Sequence, residues 1–207
     1  MNVNKTILRT ATLVALGLSA ITMAHAQQDP YSPWLVRARA VELNWANKQN
    51  NGLDATNVTA TNKAIPEVDV SYFFTKNIAA ELVLTYPQKV NVTVAGNPGT
   101  LKALPPSLLV QYHFTDLGAI KPYVGVGMNY TSFTSVSVPA IPTASLSSNS
   151  TGGVAQIGVD YMIDKNWGLN FDLKYIQIKT EVYAGGADKG QLALNPTAAA
   201  LGVTYRY

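Results

Sequence analysis

The chain has 207 residues, 47% hydrophobic and 13% charged, with a formal net charge of +3 and no cysteine. That length suits one domain. The absence of cysteine excludes disulfides, thiolate metal sites and a cysteine nucleophile, and so small a net charge gives no reason to expect a nucleic-acid partner.

The first 26 residues read as a secretory signal. Lys5 and Arg9 form a basic start, Ala11 to Ile21 a short apolar run, and Ala24-His25-Ala26 a small-residue cleavage site, so cleavage is expected after Ala26. Both charges of that segment are positive, so its removal takes the net charge from +3 to +1. No later apolar run approaches the roughly 20 residues of a spanning helix. A membrane form of the remaining chain, 27–207, would therefore be a closed barrel, which satisfies its own backbone hydrogen bonds.

Trp34 to Leu43 is the first predicted strand, with Trp34, Val36, Ala38 and Ala40 opposite Leu35, Arg37, Arg39 and Val41. A long Asn/Thr-rich loop over 44–63 follows. Pro66 to Phe74 and Ile78 to Tyr86 alternate in the same way and flank the tight turn Thr75-Lys76-Asn77. After a second long loop, 87–103, comes a hairpin. Leu108, Val110, Tyr112 and Phe114, then Val124, Val126, Met128 and Tyr130, form one uncharged apolar face. A third long loop covers 134–151. Val154 to Met162 and Trp167 to Val182 flank the turn Asp164-Lys165-Asn166, and a short Gly-rich loop leads to the last strand, Asn195 to Tyr207. Beyond Tyr175 the alternation inverts, with Ile176 and Ile178 on the formerly polar face; this predicts a bulge or a strand rising out of the bilayer.

These are eight strands joined by alternating long and short connections. The pattern predicts an all-β fold: an eight-stranded antiparallel up-and-down transmembrane β-barrel with short periplasmic turns and long extracellular loops. The strands reach the length of about 9–11 residues that a tilted crossing needs. Aromatics gather at strand ends. Trp34, Tyr72, Phe74, Phe114, Tyr161, Trp167 and Tyr207 form a periplasmic girdle, and Tyr86, Tyr130, Phe133 and Tyr175 an outer one.

The chain resembles the OmpW family of small outer-membrane proteins. The resemblance rests on WLVRARA from Trp34, SYFFTKNIAAEL from Ser71, LPPSLLVQYHF from Leu104, PYVGVGMNYT from Pro122, DYMIDKNWGLNFDLKYIQIKT from Asp160 and the terminal YRY. It covers almost the whole chain beyond the signal. It implies a narrow, partly hydrophobic lumen that passes small apolar molecules, and for some members a role as a receptor for phage or bacteriocins. The aromatic C-terminus resembles the signal read by the outer-membrane assembly machinery.

The inward face carries Arg37, Arg39, Glu67, Asp69, Glu81, Asp160, Asp172, Lys174 and Arg206, with His113 near the periplasmic end. Near balance of sign argues for paired charges that fill the base of the lumen, where an ion-selective pore would show a ring of one sign. His113 is the single histidine beyond the signal. Ser107 lies six residues away on the same face, too far to form a nucleophile system, so neither enzyme, metal site nor cofactor is expected. Leu35, Val41, Phe73, Val83, Leu109 and Val154 also point inward, joined by Ile176 and Ile178 if the alternation continues. Space-filling and an apolar ligand cup account for them equally well; the resemblance favours the cup. Leu53, Val136, Val138, Ile141 and Leu146 could extend it as a funnel.

The expected function is passive uptake of small hydrophobic molecules with lateral exit into the membrane. One alternative is a non-transporting surface barrel that binds partners through its loops. Another is a periplasmic lipocalin-like binder, with the apolar face inside. Outer-membrane lipid and lipopolysaccharide are the expected surroundings.

Overall fold

The computed structural model describes residues 32–50, 59–94, 97–139, 144–184 and 186–207. The signal segment with its expected cleavage at Ala26, and the funnel candidates Leu53 and Ile141, lie outside them. The strands, in chain order, are β1 (Trp34–Asn44), β2 (Lys48–Asn50), β3 (Thr59–Ala60), β4 (Lys63–Phe73), β5 (Ile78–Leu84), β6 (Gln88–Val94), β7 (Asn97–Leu104), β8 (Ser107–His113), β9 (Ile120–Ser137), β10 (Ala144–Leu146), β11 (Asn149–Met162), β12 (Trp167–Ile176), β13 (Lys179–Ala184), β14 (Ala187–Ala193) and β15 (Thr197–Arg206).

Eight of these close a barrel. The antiparallel order runs β1-β4-β5-β8-β9-β11-β12-β15 and returns to β1 through the ladder from Leu35↔Arg206 to Asn44↔Thr197. Period-two patterning sets the two faces. On β8, Ser107, Leu109, Gln111 and His113 are buried, while Leu108, Val110 and Tyr112 are 59%, 57% and 46% exposed. On β9, Val126 and Met128 are 67% and 64% exposed. An uncharged apolar surface running round a closed sheet is a lipid-facing belt. The lipocalin-like alternative needs the opposite arrangement.

The three tight turns form where expected. In the last, Asp164 Oδ1 accepts hydrogen bonds from the backbone N–H groups of Asn166 and Trp167, each at 2.7 Å. Those two donors hold the exposed Asp164 carboxyl below its ordinary range. Its contribution to stability is therefore present at neutral pH and is lost as the pH falls through the lowered value. Asp164→Asn keeps an accepting oxygen but removes the charge. In micelles, acidification is expected to narrow the stability difference between wild type and Asp164→Asn, as read by chemical unfolding at each pH; a difference independent of pH would contradict this.

The long connections differ from the expectation of loops, because they continue the sheet above the barrel. β6 and β7 form a hairpin paired from Gln88↔Ala103 to Val94↔Asn97 and joined to upper β9 and to β3. On the other side β10, β13, β14 and β2 make a separate four-stranded sheet. The two parts diverge after β1. There Asn47 takes a left-handed conformation (φ 52°) and its side chain pairs with the backbone of Ala60 in both directions, at 2.8 and 3.1 Å. Asparagine tolerates that conformation, and its amide replaces a missing ladder bond.

Nor does the alternation invert after Tyr175. Asn170, Asp172, Lys174, Ile176, Ile178 and Thr180 are all buried, with exposed residues between them. The inner face keeps its phase, and its chemistry changes from polar to apolar with height.

Candidate functional site

The lumen is built rung by rung. On β1 the inward residues, from the periplasmic end, are Leu35, Arg37, Arg39, Val41 and Leu43. Their buried partners on β4 are Ser71, Asp69, Glu67 and Ile65, opposite Leu35, Arg37, Arg39 and Val41. The same step from polar to apolar occurs between Glu81 and Val83 on β5, Gln111 and Leu109 on β8, Gln156 and Val154 on β11, and Lys174 and Ile176 on β12. Three layers result: an aromatic base, a charged middle and an apolar upper layer.

At the base five groups stack in sequence. Arg206 lies over Phe73 at 4.4 Å, and Phe73 packs against His113 at 4.7 Å. His113 stacks on Tyr123 at 4.9 Å, and Arg37 lies over the Tyr123 ring at 4.8 Å. Leu35 and Ala79 pack beside Phe73. The Tyr123 ring lies over its cross-strand partner Gly158 and its hydroxyl reaches Asp172 on β12; a Cβ at position 158 would stand 2.4 Å from that hydroxyl.

The charged layer has Arg37 at its centre. Arg37 Nε and Nη2 donate to the two oxygens of Asp160 at 3.1 and 2.7 Å, a bidentate pair. Its Nη1 reaches Asp69 at 3.1 Å, Ser71 at 3.2 Å and Glu81 at 3.4 Å. Arg39 Nη2 lies 2.9 Å from Glu67, 2.6 Å from Asp69 and 3.3 Å from Glu81, and its Nη1 lies 3.6 Å from Asp172. Lys174 bridges Glu67 at 2.9 Å and Asp172 at 3.0 Å. Neutral donors complete the shell: Thr204 and Asn170 on Asp160, and Tyr123 and Gln156 on Asp172. Gln111 Nε2 donates to Gln156 Oε1, so Gln111 Oε1 accepts from His113 Nε2–H. Every charge candidate named from the sequence thus belongs to this layer or to the stack beneath it. The His113 side chain meets Gln111 and the rings of Phe73 and Tyr123.

Above this layer Val41, Val83, Leu109, Val154, Ile176 and Ile178 belong to one buried apolar cluster. It also contains Leu43, Ile65, Val90, Val92, Leu101, Phe133, Leu192 and Leu194, which sequence reasoning missed. Three of these lie in a segment expected to be loop (Val90, Val92 and Leu101), although Val90-Asn91-Val92 alternates. Phe133 was expected in the outer girdle and is a correction: it is 5% exposed and packs inside, because β9 runs to Ser137 and carries odd-numbered positions inward. Val138 is buried and Val136 packs against the cluster. One polar feature interrupts this level. Asn129 Nδ2 reaches the carbonyls of Pro105 and Pro106 and the Ser107 hydroxyl at 3.0–3.2 Å, and Thr131 donates to Asn129 Oδ1.

A buried apolar layer over paired charges and stacked rings, in a barrel with an apolar exterior, agrees with the family resemblance, and a family model decides the matter. The model of the OmpW family matches residues 34–207. The chain belongs to the OmpW family. Among its relatives is an uncharacterized outer-membrane protein, y4mB, of Sinorhizobium fredii, 42% identical over 85% of this chain and 80% of that protein. Outer membrane protein W of Vibrio cholerae is 33% identical over 89% of both chains. The crystal structure of OprG from Pseudomonas aeruginosa has the same fold, with a TM-score of 0.72 and 22% identity over 86% of this chain and 97% of that one. This OmpW-family chain is an outer-membrane barrel, and the OmpW-family relatives are named as outer-membrane proteins.

Proposed function

We propose that the barrel takes small apolar molecules from the outer surface into its upper chamber and releases them sideways into the membrane. The observation that carries this reading is the change of the inner face of β1, β4, β5, β8, β11 and β12, at one height, from buried charged and polar groups to buried hydrocarbon. An apolar solute partitions favourably into the upper chamber. It meets the paired charges and stacked rings below, so the route onward is through the wall.

The wall offers a place for that exit. The ladder of β5 with β8 ends at Val83↔Ser107, and that of β6 with β7 begins at Gln88↔Ala103. Between these rungs residues 84–87 face 104–106, and Pro87, Pro105 and Pro106 have no N–H to donate. Asn129 satisfies the carbonyls of Pro105 and Pro106, so an opening here would break few main-chain bonds. Val83 and Leu109 line the chamber beside it.

Val154→Asp tests the reading. It places a carboxylate among the apolar side chains of the upper cluster and leaves the base untouched. Uptake of a medium-chain alkane into cells producing the variant is expected to fall about tenfold, the factor that ~1.4 kcal/mol of lost apolar binding produces. Unchanged uptake by a variant that still inserts and shifts on heating would refute the proposal.

A further inference from the structure

Above the outer aromatic level the exterior carries an uncompensated pair of like charges. Lys89 on β6 and Lys102 on β7 are direct cross-strand partners, and both are exposed. Lys63 Nζ donates to the backbone carbonyl of Lys89 at 3.0 Å, which brings a third ammonium to the same strand pair. Like charges directly opposite one another destabilise a sheet. The adjoining partners are neutral: Asn91 faces Thr100, and Thr134 on β9 faces Lys102. Among the described residues no ion pair involves any of the three lysines.

Their height suggests what compensates them. Lys89 follows Tyr86, which is 56% exposed, by three residues, and Lys102 precedes Leu104 at the top of the lipid belt. At a rise of about 3.3 Å per residue, Lys89 stands ~10 Å of chain beyond the aromatic girdle. That is headgroup level, where basic clusters meet lipid phosphates. We propose that Lys63, Lys89 and Lys102 bind a phosphate of a phosphorylated glycolipid in the outer leaflet. The site continues the barrel's lipid-facing surface and is independent of the uptake reading.

The test compares wild type with Lys102→Glu in phosphatidylcholine vesicles, with and without diphosphorylated lipid A, by the temperature at which the heat-resistant gel band is lost. In wild type, lipid A is expected to raise that temperature by about 2–4 °C. In Lys102→Glu, the carboxylate placed opposite Lys89 is expected to raise it in phosphatidylcholine alone and to abolish the response to lipid A. No rise in wild type, or an equal rise in both proteins, overturns the proposal. A full rise in wild type with inorganic phosphate in place of lipid A also overturns it, since the site would then be one for a soluble anion.

Discussion

Arg37→Met is expected to destabilise the barrel by about 3–5 kcal/mol, the usual loss when one partner of a buried ion pair is removed. Arg37 is fully buried and donates to three carboxylates on three strands: Asp69 of β4, Glu81 of β5 and Asp160 of β11. Methionine approximates its volume and leaves those oxygens without their central cation. Asp160 loses both bonds of its bidentate pair and retains only Thr204 and Asn170. Urea unfolding in lipid vesicles gives the magnitude. Arg37→Lys keeps the charge but cannot form the fork, so it should fall between wild type and Arg37→Met. The pair Arg37→Met and Asp160→Asn should recover part of the loss, because it removes an unpaired charge together with its partner. A wild-type unfolding curve for Arg37→Met would show that the network contributes nothing to stability.

Phe73→Ala should both weaken and open the barrel. Truncation of a buried phenylalanine typically costs about 3–5 kcal/mol. Phe73 is 5% exposed and lies between the Arg206 guanidinium and the His113 ring. Its removal separates the stack into two parts and leaves a void at the periplasmic end. In planar bilayers the variant is expected to conduct ions at a clearly higher unitary conductance than wild type. Phe73→Leu retains much of the volume and should remain near the wild-type level. Equal conductance for wild type and Phe73→Ala would place the seal elsewhere in the lumen.

Much of this architecture is legible in the sequence because a barrel writes its two solvents into alternate residues. Leu108, Val110 and Tyr112 had to be uncharged and Gln111 and His113 had to face inward, whatever their partners. Partner choice is not local. Nothing in WLVRARA says that Arg37 meets Asp160, since they are joined only when the sheet closes. The hairpin of β6 and β7 was hidden by Pro87 and by Gly96-Asn97-Pro98-Gly99, turn formers that made an alternating segment resemble a loop. Tyr123 was missed because its ring depends on a distant glycine, Gly158, for space. The change at Ile176 reads as an inversion because apolar residues on a polar face resemble a phase shift when each strand is considered alone; the same step on β1, β4, β5, β8 and β11 shows that the lumen itself changes character.

The charged layer also bears on the order of assembly. Arg37 and Asp160 are 123 positions apart, Lys174 and Glu67 107, and Arg39 and Asn170 131. Contacts of such separation form late, because the intervening chain must first be confined. Until β1 meets β15 the two arginines of the first strand have no carboxylates from β11 and β12, and those carboxylates have no cations from β1. An open sheet therefore holds unmatched charge on the face that becomes the lumen, and closure is what neutralises it. The network acts as a latch that engages on a completed cylinder, so a partly formed sheet has little to hold it in the membrane and a finished one has a high barrier to reopening.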